Sequence, residues 1–150
     1  MREVKRNRKM PAKKVNPFKL REFRGVNAGH IARLEGIGIR NAGQMLSAGR
    51  TAADRTRIAR QTGISEEVVL ELVKLSDLAR LPGVKGIRAR LYYDAGVDCV
   101  EKLAEYAPEV LLALTTAFVQ KTGFDGIAPL PKEVSSTIAN ARKLPGLVEW

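Results

Sequence analysis

Apolar residues along this chain recur at helical spacing, and no stretch alternates apolar with polar over the length of a strand. Ser65 followed by Glu66 and Glu67 is a helix start, with Val69, Leu72, Val73 and Ser76 on one face of the helix expected over 66–79. Asn27 caps a helix over 28–34. Thr51 with Asp54 opens 52–61, which stops at Gly63. Asn16-Pro17 reads as an N-cap with proline at the first helical position, and Phe18, Leu20 and Phe23 would anchor that short helix. Further helices are expected over 39–48, 87–95, 99–106 (marked by Asp98 with Glu101), 108–121 and 131–143, with 123–130 as a loop. The class is all-α, with roughly eight to ten helices of modest length.

One pattern occurs twice. Residues 31–49, IARLEGIGIRNAGQMLSAG, and 78–96, LARLPGVKGIRARLYYDAG, align without a gap, 47 positions apart. Each reads as a helix, a glycine turn, a second helix and a closing Ala-Gly, with Gly49 suited to a left-handed C′ position. Ala42, Met45 and Leu46 match Ala89, Tyr92 and Tyr93 on one face of the second helix. That spacing favours the tyrosines as core residues over a base-stacking platform, with a partly exposed hydroxyl edge as the alternative. In the turns Gly36 matches Gly83 and Gly38 matches Lys85, with Gly86 one step on.

Glycine accepts positive φ and lets a ligand approach the backbone. At a helix start, bare amide N–H groups can converge on a phosphate oxygen. The bland alternative is a tight interhelical turn, and the residues alone leave the two readings about even. Candidate phosphate contacts are Gly36, Ile37, Gly38, Arg40 and Asn41 at the first turn. At the second they are Gly83, Val84, Lys85, Gly86, Arg88 and Arg90. The first is expected to give the cleaner backbone geometry, provided Glu35 points away. The second is expected to give the side-chain contacts.

Charge strengthens the phosphate reading. The net charge is +10 and the pI about 10.1, which suits a polyanionic partner. Residues 1–24 carry ten Lys or Arg against two Glu, whereas 25–150 carry sixteen against fourteen acids. The expected organisation is a basic, flexible tail over 1–24 and a tandem domain over 25–150 that ends in helices over 99–143. Lys5, Arg6, Arg8, Lys9, Lys13 and Lys14 would supply sequence-independent phosphate attraction; a merely solvated arm is the alternative.

Little points to catalysis. His30 is the single histidine, Cys99 the single cysteine, and the acids are scattered or explained by helix starts. No enzyme activity, cofactor or metal is expected. The lone cysteine suits a reducing compartment. No apolar run reaches membrane-spanning length and no secretory signal is visible. The expectation is a cytoplasmic protein, nucleoid-associated if it binds DNA, without a membrane partner.

Gly36-Ile37-Gly38 with Ala42 and Ala48-Gly49 resembles the helix-hairpin-helix motif of DNA repair and replication proteins. Pro82-Gly83-Val84 with Ala89 and Ala95-Gly96 is similar, with Lys85 in place of the second motif glycine. The longer run formed by 34–38, 62–65 and 83–98 resembles the domain of unknown function 4332 family, over about residues 30–145. That resemblance implies a helix-hairpin-helix-type fold with no assigned reaction. The broader motif implies contact with DNA through hairpin amides, one hairpin per strand where motifs are paired. The leading expectation is sequence-independent nucleic-acid binding, with DNA ahead of RNA or a ribosome-associated role. A protein-interaction or oligomerisation scaffold is the rival.

Overall fold

The computed structural model describes residues 16–150. Lys5, Arg6, Arg8, Lys9, Lys13 and Lys14 lie outside the described residues. A short 3-10 turn, Leu20–Glu22, precedes eight α-helices: α1 Ala28–Gly36, α2 Ala42–Ala48, α3 Ala52–Thr62, α4 Glu66–Leu78, α5 Gly86–Asp94, α6 Val100–Ala104, α7 Pro108–Thr122 and α8 Pro131–Ala141. There is no strand among the described residues, so the all-α expectation holds.

Local capping sets most helix starts. The side chains of Asn27, Thr51 and Ser65 accept hydrogen bonds from the backbone N–H groups of His30, Asp54 and Val68. Pro108 and Pro131 occupy first-turn positions where no N–H is needed. α4 is the central helix and packs against α2, α3 and α5. Val69, Leu72, Val73, Leu75 and Leu78 along it are buried. Each such side chain contributes about 1.5–3 kcal/mol relative to exposure. α8 packs on α6 and α7 to complete the body. Tyr92 is fully buried. Burial, with Glu133 nearby, pushes its phenol up to about 12, so the core reading of this tyrosine is correct.

Several local expectations change. Asn16-Pro17 starts no helix. Asn16 Oδ1 accepts from Phe18 N at 3.0 Å, and Asn16 Nδ2 donates to Ala79 O at 3.0 Å. Leu20 and Phe23 are core residues, so the folded body reaches back to Asn16. α2 begins at Ala42 rather than 39 because Asn41 and Gln44 form a capping box. Gly49 has φ −107°, outside the left-handed region. Its side chain is absent for packing: a Cβ there would lie 2.6 Å from Val73 Cγ2.

Cys99 is the N-cap of a short α6, and Val100 N donates at 2.8 Å to Asp77 of α4 rather than to a nearby cap. The Asp77 carboxylate also pairs with Arg80 at 2.8 Å. Beyond α8 the chain turns back. Glu149 N donates to Arg50 O, and buried Arg55 donates to Gly49 O and Glu149 O.

Candidate nucleic-acid interface

The two glycine turns differ in backbone geometry. After α1, Leu34 O accepts from both Ile37 N and Ile39 N, at 3.0 and 2.9 Å, and Glu35 O accepts from Gly38 N. Gly38 sits at φ +89°, and Gly36 ends the helix. The left-handed residue is thus the second glycine of the first copy. In the second copy it is Gly83, at φ +81°, the counterpart of Gly36. The geometric partner of the Gly38 turn lies elsewhere, after α5. There Gly96 has φ +96° and Tyr92 O accepts from Val97 N at 2.8 Å. The repeated sequence does not fold into two identical turns.

Gly36, Ile37, Gly38 and Arg40 are exposed, but their neighbourhood offers no open donors. Arg40 N and Asn41 N donate to Gln44 Oε1 at 2.7 and 3.2 Å. Ala42 N donates to Phe18 O at 2.8 Å and Gly43 N to Asn16 O at 3.0 Å. Gln44 N donates to Asn41 Oδ1. Every N–H from Ile37 to Met45 has an acceptor inside the molecule. A phosphate could use them only by displacing these bonds, so the cleaner backbone geometry expected of the first turn is not there. Asn41 serves as a helix cap, and Glu35 is held by Arg21 through two oxygens.

At the second turn four donors lack an internal acceptor among the described residues, although Gly86 itself is buried. Val84 is buried and its N–H donates to Leu81 O. Lys85 is an extended N-cap without a side-chain cap bond, and the next amide with a backbone acceptor is Ala89 N, donating to Lys85 O. The N–H groups of Lys85, Gly86, Ile87 and Arg88 have no acceptor among the described residues. They begin a nine-residue helix, where the macrodipole favours an anion. A cleft of about 610 Å³ lies here, with Phe18, Glu22, Gly83, Lys85, Gly86 and Ile127 among its lining residues.

The side chains divide. Arg88 pairs with Glu133 at 2.7 Å and donates to Ile127 O. Arg90 is buried against Glu71 at 2.7 Å, also meets Asp94, and donates to Arg24 O. Both guanidinium groups hold the fold together. Arg40 and Lys85 are exposed and have no acidic partner among the described residues.

One structural segment is missing from the motif reading. Residues 16–24 form a strap across both turns. Its carbonyls accept from the start of α2, Leu20 N donates to Arg40 O, and Arg24 N donates to Gly86 O. Gly86 lacks a side chain where one is impossible: a Cβ would stand 2.2 Å from Glu22 O. Asn-Pro-Phe is the only sequence signal for this strap, and it points to a local turn rather than a partner.

Elsewhere, no group of three or more His, Cys, Asp or Glu able to hold a metal is gathered among the described residues. Cys99 is buried, which pushes its thiol up.

No curated protein and no solved structure matches the chain. The family described as Domain of unknown function (DUF4332) matches residues 24–144, which span both turns and all eight helices. The chain therefore belongs to the DUF4332 family.

Proposed function

We propose that this protein is a non-enzymatic, sequence-independent nucleic-acid binder of helix-hairpin-helix character, with duplex DNA as its preferred ligand. The observation that carries the reading is the second turn. Exposed Lys85 and the first turn of α5 carry four amides, those of residues 85 to 88, that have no acceptor among the described residues. A phosphate oxygen supplies what those donors lack. The basic segment before residue 16 adds electrostatic attraction that reads no sequence. Such a protein acts in the cytoplasm, on the nucleoid.

The test is anisotropy of a labelled duplex titrated with the full chain at several salt concentrations. Neutralising about six to ten phosphates would weaken binding by roughly three to five decades between 50 and 200 mM salt. Absence of binding, or a flat salt response, contradicts the proposal. Competition with structured RNA ranks the two polymers.

A protein-interaction role is the second reading. It is favoured by the apolar loop before α8, where Ile127 and Leu130 are 81% and 68% exposed. Light scattering with and without DNA separates the two.

A further inference from the structure

We infer that the nucleic-acid contact is a cationic ridge built on the strap, formed by the side chains of Lys19, Arg40 and Lys85, and that the first turn contributes Arg40 but none of its amides. This rests on the nucleic-acid reading above.

Three observations place these charges together. Lys19 lies opposite Asn41 in an isolated antiparallel bridge, and the adjacent Leu20 N donates to Arg40 O at 3.0 Å. Lys85 Nζ stands 5.9 Å from the ring centroid of Phe18, the residue before Lys19. All three cations are exposed, and none has an acidic partner among the described residues. Phe18 to Leu20 spans at most about 7 Å. The strap positions that the three residues adjoin therefore span a length comparable to the rise of two or three phosphates on one strand, about 3.4 Å each.

Carboxylates nearby do not cancel the ridge. Glu35 is held by Arg21 and Glu133 by Arg88. Glu22, in the same cleft as Lys85, is an opposing charge. A polyanion that follows the ridge meets side chains first and the α5 amides beside Lys85 second.

The experiment compares the full chain with the triple variant Lys19→Gln, Arg40→Gln, Lys85→Gln, reading duplex affinity against salt. A control triple, Arg57→Gln, Arg60→Gln, Lys121→Gln, removes equal charge from α3 and α7. Removing three phosphate contacts lowers the magnitude of the log–log salt slope by about 2.7. The ridge triple is expected to show that loss and the control triple none. Lys19→Gln alone is expected to lower the slope by about 0.9, and Glu22→Gln to tighten binding. Circular dichroism of each variant verifies that it is folded. If the wild type binds and both triples bind alike, the ridge is wrong and the nucleic-acid reading survives. If the wild type binds no duplex, both fall.

Discussion

Replacing Gly86 with alanine tests the strap through the sign of its effect. A Cβ at this position lies 2.2 Å from Glu22 O and 3.3 Å from Phe23 Cα, both backbone atoms. Even a close carbon–oxygen contact needs about 3.3 Å, so the strap must retreat by roughly 1 Å. Retreat disturbs Leu20 and Phe23, which are anchored in the core. It also stretches the bond from Arg24 N to Gly86 O, already 3.4 Å long. Overpacking of this kind costs about 1–3 kcal/mol. Against it, alanine recovers up to about 1 kcal/mol of helix propensity.

The expected net loss is about 1–2 kcal/mol, a fall in Tm of roughly 2–8 °C for a chain of this size. Urea unfolding followed by far-UV circular dichroism measures it. Gly36→Ala is the matched comparison, because nothing lies within 4 Å of a Cβ at that helix end. It is expected to hold or raise stability. A Gly86→Ala protein as stable as the wild type, or more so, would mean that the strap is not seated on α5, and the ridge would lose its foundation.

Asp77→Ala strands nearly buried Arg80 and removes the acceptor of Val100 N. A loss of about 3–5 kcal/mol is expected by chemical denaturation, and Asp77→Asn should be milder because it keeps an acceptor for Val100. Gly38→Ala and Gly83→Ala each force a side chain into positive φ and should cost about 1–2 kcal/mol in the same assay, in contrast to Gly36→Ala. Burial alone would raise the Asp98 carboxyl, but hydrogen bonds from Lys74 and Lys102 hold it below its ordinary 3.8. Its stabilising contribution is complete above that value and is lost as pH falls through the lower folded-state pKa. Asp98→Asn should therefore flatten the decline in Tm below about pH 4, and an unchanged acid limb would refute the pairing.

What was legible in the sequence was local. Asn27, Thr51 and Ser65 each announce a helix within three residues of themselves, and each does what its position suggests. The face of Val69, Leu72, Val73 and Ser76 is buried because the 3.6-residue period was already written there. The repeat was visible, but its geometry was not. An ungapped alignment pairs Gly38 with Lys85, whereas the left-handed residues are Gly38 and Gly83. The Asn41–Gln44 capping box also starts α2 one turn later, in the aligned frame, than α5 starts.

Long-range partners were out of reach. Asp77 caps a helix 23 residues away. Arg88 finds Glu133 at a separation of 45. The strap satisfies the first turn through backbone atoms that carry no sequence signature. Composition counts charges but does not say which are committed to pairs, so it does not distinguish Arg90, held by Glu71, from Lys19, which has no acidic partner among the described residues.

The central claim is that nucleic acid meets the strap ridge and the second turn. Backbone amide NMR of the full chain during duplex titration tests it most directly. The account predicts saturable shifts at Lys19, Arg40 and Lys85 to Arg88, with Ile37 to Gly38 nearly still. Shifts confined to the segment before Asn16, or centred on Gly36 to Gly38, would contradict it.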